Sequence, residues 1–286
     1  MRCIIEPREM QVWSTQKRCQ GKTLALVPTM GYFHEGHLAL MRWAREHCDV
    51  LMVSLFVNPT QFAPHEDLKA YPRDLPRDAE LAREQGVDVL FTPTPESMFS
   101  KDHAAWVEAP SLCRGLCAVQ RPTHFRGVAT VVAKLFLLTS PTLAVFGEKD
   151  WQQLAVIRTM ARDLNMPVEI IGRPIVREAD GLAMSSRNIY LSPEERAQAP
   201  FIHQGLQQIR GLTEQGETDA NILLAALGEM YQRTMPLAAV EYMSLVDPEQ
   251  LFPLEEIQGP ALLAVAVRFK TARLIDNILI PVEERL

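Results

Sequence analysis

No apolar run in this 286-residue chain approaches the ~18 residues of a membrane span, and the short apolar start is broken by Glu6 and Pro7. A soluble, cytoplasmic protein without a membrane partner is expected. Cysteine is scarce as well: Cys3, Cys19, Cys48, Cys113 and Cys117 form an odd set of five with no C-x-x-C pair. Neither a disulfide framework nor a zinc ribbon fits that set, and reduced thiols are expected. Positive charge is in short supply, since 29 Lys and Arg against 35 Asp and Glu leave a net charge of −6. The basic residues are scattered rather than striped, which speaks against nucleic acid as a partner. Any anionic ligand must therefore meet basic groups that are concentrated locally. Two nucleotide fingerprints are missing. There is no G-x-G-x-x-G, and "GKT" at 21–23 has Gln16 where a P-loop needs glycine and precedes its strand. A dinucleotide dehydrogenase and a P-loop enzyme are both disfavoured. Asn58-Pro59-Thr60 is no glycosylation acceptor, because proline holds the middle position.

What is present is a rhythm. "TLALV" (23–27) and "VLMVSLFV" (50–57) read as strands buried on two faces. Between them, "HLALMRWAREHC" places Leu38, Met41 and Cys48 on one helical stripe and turns Arg42, Arg45 and Glu46 to water. The alternation goes on with a helix from Leu75, opened by Asp74 and Pro76 and closed by Gly86, and a strand at 87–91. A helix at 127–138, a strand at 142–146, a helix at 151–164 and a strand at 168–172 follow. Such alternation predicts a Rossmann-like α/β domain over residues 1–175, a parallel sheet with helices on both faces and ligands at the carboxyl ends of its strands. Beyond it, helices near 193–212 and 219–235 precede strands at 240–246, 261–269 and 272–277. That order predicts a smaller α+β domain over 176–286. No repeat, low-complexity tract or long linker separates the two, and 47% hydrophobic content suffices for two cores.

The chemistry gathers at strand ends. "PTMGYFHEGHLAL" (28–40) leaves the first strand, turns at Gly31 and enters a helix near His34 or Glu35. His34 and His37, three apart, address the same first turn, where N–H groups and the helix dipole favour an anion. Gly36 removes a side chain where a ligand would approach. Three readings stand at this point: phosphate, a metal, or two histidines that merely cap the helix. "HEGH" is one residue short of the zinc-binding H-E-x-x-H, and no third ligand is near. "FVNPTQF" (56–62) offers Asn58 and Gln61 as neutral partners for a hydroxyl or carboxylate, or as turn residues. "FGEKDWQQ" (146–153) supplies Lys149 as a compact charge, Asp150 as a possible helix cap and Gln153 one turn into the helix. "READGLAMSSRN" (177–188) groups Ser185, Ser186 and Arg187 in a composition suited to phosphate. Arg121, His124 and Arg126 of "QRPTHFRGV" would hold an anion or decorate the surface.

These blocks, with "ARLIDN" (272–277), occur in an order and spacing that resembles the pantothenate synthetase (pantoate–β-alanine ligase) family, within the HxGH nucleotidyltransferase superfamily. The resemblance spans most of the chain, and six ordered blocks are far more specific than one H-x-G-H. It implies condensation of pantoate with β-alanine at the expense of ATP, through an enzyme-bound pantoyl adenylate, with Mg²⁺ accompanying ATP. By matched motif it assigns ATP to Met30, Gly31, Tyr32, Phe33, His34, Glu35, Gly36 and His37. Gly147, Glu148, Lys149, Asp150, Val176, Met184, Ser185, Ser186 and Arg187 join them. Pantoate falls to Gln61 and Gln153, with Asn58 beside them, and Gln61 also meets β-alanine. His37 takes the family's proton-donor position and His34 its phosphate-binding companion, with Lys149 and Arg187 as the other catalytic cations. No protein metal site is implied. A homodimer is a further expectation of the resemblance; because the polar loop 177–188 begins the second domain, closure of that domain over ATP is expected as well. Tyr32 and Phe33 stand where the family often has smaller or aliphatic residues, and Trp151 where phenylalanine is common.

The chemistry of the residues agrees. A carboxylate is already a nucleophile, so attack on the α-phosphorus needs alignment and charge rather than a general base. Rival readings are an HxGH enzyme transferring a nucleotide to a phosphorylated alcohol, a metal-dependent hydrolase using His34, Glu35 and His37, and a non-catalytic nucleotide-binding module. The last two leave the other polar blocks unexplained.

Overall fold

Continuous apolar runs become the inner strands of a parallel sheet, as their two-sided burial requires. The computed structural model describes residues 1–63, 66 and 68–281. Its first half runs β1 (Arg2–Ile4), α1 (Pro7–Cys19), β2 (Leu24–Thr29), α2 (Glu35–Glu46), β3 (Val50–Leu55), α3 (Leu75–Glu84), β4 (Val89–Phe91) and α4 (Pro95–Met98). It continues with α5 (Cys117–Gln120), α6 (His124–Thr139), β5 (Leu143–Gly147), α7 (Trp151–Asp163) and β6 (Glu169–Arg173). The six strands pair in the order β1-β4-β3-β2-β5-β6, and every pairing is parallel. Ala25, Val27, Leu51, Val53, Leu90 and Val145 meet Phe33, Met41 and Ala44 in one apolar cluster, which carries the α2 stripe onto the sheet.

β1 and α1 are not legible in the apolar pattern. β1 is three residues long with one buried side chain, and α1 buries only Met10 and Ser14. Neither gives a periodic stripe, so pairing with β4 and the start at Pro7 do what local sequence does not.

The later part comprises α8 (Pro193–Gln198), α9 (Phe201–Glu214), α10 (Ala220–Thr234), β7 (Ala239–Val246), β8 (Ala261–Arg268) and β9 (Arg273–Ile280). The single helix expected over 193–212 is two helices. Pro200 lacks the N–H that would continue the ladder, and α9 starts anew behind it. β7, β8 and β9 form an antiparallel sheet in that order. Ala261, Leu263, Val265 and Val267 alternate toward Leu206, Leu223, Leu227 and Tyr231 of α9 and α10 in a second core.

The chain divides into two compact units, residues 1–110, 120–148 and 156–174 in one, and residues 111–119, 149–155 and 175–286 in the other. Side-chain bonds explain why two short segments count with the second. Gln152 donates to the carbonyls of Leu112 and Gly115 and accepts from Cys117 N–H. Trp151 donates to the Pro248 carbonyl at 2.8 Å. The last five residues of the expected second domain, 282–286, lie outside the described residues.

Candidate active site

From β2 the chain steps to β3 and β4 on one side, then crosses to β5 and β6 on the other. The sheet thus changes direction between β2 and β5. In parallel sheets a crevice opens at the carboxyl ends of the strands at such a point, and ligands bind there. "MGYFHEGH" follows β2 directly, so the fold delivers the two histidines to that rim.

The turn between β2 and α2 is held from a distance. Gly31 (φ +87°) and Tyr32 (φ +54°) both take left-handed backbone. Asp78 of α3 accepts from the N–H of Tyr32 at 2.6 Å and of Phe33 at 2.7 Å, and its side chain is 1% exposed. Two backbone donors are thereby satisfied by one buried carboxylate, which offsets the strain of a non-glycine residue at positive φ. A Cβ on Gly31 would stand 3.0 Å from Leu55 Cδ2 and 3.1 Å from Asp78 Oδ2, a tight fit that adds to the preference for glycine set by its φ. Burial pushes the Asp78 carboxyl above the ordinary carboxylate range, against the pull of the two N–H groups and Arg77.

His34 is the N-cap of α2. Its Nδ1 accepts from Gly36 N–H at 3.1 Å, while His37 Nδ1 accepts from His34 N–H at 3.3 Å, a reciprocal capping box built from two imidazoles. The rings lie 4.1 Å apart, and Phe33, buried beneath them, is 5.7 Å from the His37 ring. Because both Nδ1 atoms accept backbone protons, the neutral tautomer of each ring carries its proton on Nε2. Capping and anion recognition are therefore compatible. One nitrogen shapes the helix end, and the other is a donor of fixed tautomer at a positively polarised terminus.

Beside β3, Asn58 and Gln61 make a second polar element. Asn58 Oδ1 accepts from Thr60 N–H (3.2 Å) and Oγ1 (2.8 Å), and Nδ2 donates to Gln61 Oε1 (3.3 Å) and the Gly127 carbonyl (3.1 Å). Each of its hydrogen-bonding positions is engaged, and it is 1% exposed. Its action on a substrate must run through Gln61. The Gln61 carbonyl accepts from His124 Nδ1 at 2.8 Å and Arg121 Nη2 at 3.2 Å, and its Nε2 contacts Met30 Sδ at 2.8 Å. Arg121 also forms a two-pronged pair with Glu66 at 2.5 and 2.7 Å. Burial pushes the Glu66 carboxyl up, but the hydrogen bonds and charge of Arg121 prevail and hold it below its ordinary value. Arg121 and His124, expected at an anion or on the surface, are thus the clamp on Gln61. Arg126 lies 4.9 Å over the Trp106 ring.

A cavity of about 280 Å³ opens in this first unit, and Met30, Gly31, Tyr32, Phe56, Asp78 and Thr92 are among its lining residues. It collects the turn after β2 and the ends of β3 and β4.

The second unit holds the other expected groups. Lys149 is half-buried in a 3-10 turn that starts at Glu148, the half-buried last residue of a first-unit segment, and ends at the exposed Asp150, and Gln153 lies half-buried in the first turn of α7. Met184 N–H donates to the Val176 carbonyl at 3.0 Å, which brings these two expected residues together. Ser185 caps the following turn through Arg187 N–H at 3.2 Å, and Ser186 is buried. Asp78 and Glu66 carry no site signal in the sequence, and Asp276 enters only as part of the "ARLIDN" block, without a role of its own. Their partners lie tens of residues away, as with Asp78 and Tyr32, 46 apart.

A parallel α/β sheet with an H-x-G-H helix at its switch point defines a nucleotide-handling enzyme of the HxGH class. The family model described as pantoate-beta-alanine ligase matches residues 2–279. A pantothenate synthetase of Nitratidesulfovibrio vulgaris (strain Miyazaki F) is 59% identical over 280 residues, 98% of this chain and 99% of that protein. The crystal structure of pantothenate synthetase from Thermus thermophilus superposes with a TM-score of 0.91 at 45% identity, covering 99% of this chain and 100% of that one. A Francisella tularensis pantoate-beta-alanine ligase, solved with beta-gamma ATP and beta-alanine, gives 0.79 at 29% identity over 98% and 97% of the two chains. The chain belongs to the pantoate–β-alanine ligase family. Among the described residues no helix is long and apolar enough to cross a membrane.

Proposed function

We infer that the chain joins pantoate to β-alanine at the expense of ATP in two steps, with the H-x-G-H turn serving the first. The observation that carries this reading is the pair of imidazoles at the switch point, each locked by a backbone N–H onto Nδ1. In the first step a pantoate carboxylate oxygen attacks the α-phosphorus of ATP, the bond to the β-phosphate breaks, and pyrophosphate leaves with the electron pair. Charge gathers on the α-phosphate and the departing oxygen, where donors of fixed position are most effective. His34 and His37 of α2, and Lys149 and Arg187 of the second unit, are the groups assigned to it. Met30–Phe33, Glu35, Gly36, Gly147, Glu148, Asp150, Val176 and Met184–Ser186 complete the nucleotide assignment.

Gln61 and Gln153 are assigned to pantoate, an assignment supported for Gln61 by its clamp of Asn58, Arg121 and His124. In the second step the β-alanine amine, having lost a proton, attacks the acyl carbon, and AMP departs with the oxygen it received from pantoate. Among the described residues no group of three His, Cys, Asp or Glu side chains is arranged to hold a metal. Magnesium would arrive on the phosphates of ATP, as this hard cation commonly does, and neutralise charge there. A cytoplasmic homodimer is part of this reading, and light scattering of the purified protein tests the dimer.

Exchange of labelled pyrophosphate into ATP, dependent on pantoate and run without β-alanine, isolates the first step. Lys149→Ala and Arg187→Ala are each expected to slow it by about 10²-fold, the order for removing one transition-state donor. Undiminished exchange in both variants would contradict the assignment.

A further inference from the structure

The late block "ARLIDN" has no role in the reaction as described, yet two of its side chains are among the few buried polar groups of the second unit. Asp276 is 4% and Asn277 5% exposed, side by side on β9, in register with Val265 and Ala264 of β8. Consecutive strand residues project to opposite faces, so the pair reaches two ways from one point of the backbone.

Asp276 accepts both prongs of the Arg177 guanidinium, at 2.7 and 2.9 Å. Arg177 begins the polar loop and also donates to the Gly181 carbonyl at 3.1 Å, and it bridges to Ala183 across the loop. Glu178 next to it accepts from Asn188 at the far end (2.8 Å) and from Arg196 (2.6 Å), and Arg196 also grips Asp180. Loop 177–188 is thereby closed on itself, and the Arg177–Asp276 pair ties it to the sheet. Asn277 turns the other way. Its Nδ2 donates to the main-chain carbonyl of Lys149 at 2.9 Å. Asp276 Oδ1 also accepts from the main-chain N–H of Asn277 at 2.8 Å, which ties the Asp276 side chain to the backbone that carries Asn277.

A buried ion pair stabilises a fold little more than well-packed apolar residues would, so stability alone is a weak reason for this one. A bidentate guanidinium–carboxylate pair does confer a fixed geometry. We propose that Asp276 and Asn277 are positioning residues for adenylate formation, setting the backbone of Lys149 and of the Ser185–Arg187 loop from one strand. The proposal rests on the assignment of Lys149 and Arg187 to ATP made above. Neither residue of the pair is required to touch the nucleotide. Asn277 acts through Lys149, and Asp276 acts through Arg177 and the loop.

The test is a double-mutant cycle read by pantoate-dependent pyrophosphate exchange. Asn277→Asp is nearly isosteric but sets an acceptor against the Lys149 carbonyl. It is expected to slow exchange about tenfold in the native background and to change it by less than about twofold when Lys149 is already alanine. Asp276→Asn combined with Arg187→Ala is expected to behave the same way. If Asn277→Asp does not fold, Asn277→Ser, whose hydroxyl is too short to span the contact, is put through the same cycle with the same expectation. Equal slowing with and without the Lys149 side chain would make the residue a general support of the fold and overturn the proposal, as would native exchange in Asn277→Asp. Native exchange in Lys149→Ala is a separate result, which would remove the assignment of Lys149 and this inference together.

Discussion

An imidazole at a helix N-cap is an uncommon choice, since the short oxygen side chains of Ser, Thr, Asp and Asn suit that position better. At His34 the ring caps α2 through Nδ1 and keeps its other nitrogen as a donor. The two roles separate by substitution. His34→Asn supplies a good cap without the ring and should unfold within about 0.5 kcal/mol of the native protein, whereas His34→Ala should lose about 1 kcal/mol. Both should slow pyrophosphate exchange by about 10²-fold, because both lack the Nε2 donor. Urea unfolding beside the exchange assay checks the pair. Native exchange in His34→Asn would show the ring to be a cap only. His34 and His37 are legible in the sequence because their spacing is local and their helix strongly amphipathic. Asp78, which holds the turn before them, is not. A carboxylate that accepts N–H groups 45 and 46 residues away leaves no local mark, and Asp78 reads as one more charge on a surface helix.

Elements meet at Gly127. A Cβ there would stand 2.4 Å from the Thr60 carbonyl oxygen and 2.8 Å from Gln61 N, so α6 can lie against the turn after β3 only without a side chain at this point. Gly127→Ala should cost about 2–3 kcal/mol as the backbones part. It should also raise KM for pantoate more than it lowers kcat, since the displaced turn carries Gln61. A normal KM in the folded variant would place pantoate elsewhere. The same turn gives a pH signature. Glu66 is held below its ordinary value in the folded chain, so its stabilising contribution is complete above the unfolded value of about 4.3 and fades as pH falls through the lower folded value. Thermal unfolding should therefore show native protein above Glu66→Gln near neutrality, with the gap narrowing below about pH 4. A gap independent of pH would deny that an ionised Glu66 supports the clamp. From sequence, Arg121 and His124 suggest an anion or the surface. Their true partners, a main-chain carbonyl and a carboxylate brought in by another loop, are tertiary facts.

At the scale of the molecule, the alternation of apolar runs with amphipathic stripes is enough to anticipate a parallel sheet followed by an α+β unit, since strands buried on two faces leave long apolar runs. The place of β1 and α1 in the first unit is hidden because β1 is a short apolar piece cut off by Glu6 and Pro7, and α1 buries too few side chains to show a stripe. So is the membership of residues 149–155 in the second, because α7 runs through the division without a break in pattern. Assignment of the chain to two half-reactions is tested most directly at His37, whose ring caps from Nδ1 and whose Nε2 donor we assign to the first step. The measurement is single-turnover quenched flow on His37→Asn, following pantoyl adenylate as it forms from ATP and pantoate, and separately as β-alanine consumes it. Formation is expected to slow by about 10²–10³-fold, with consumption within about threefold of native. Formation at the native rate, or a loss confined to consumption, would contradict the account.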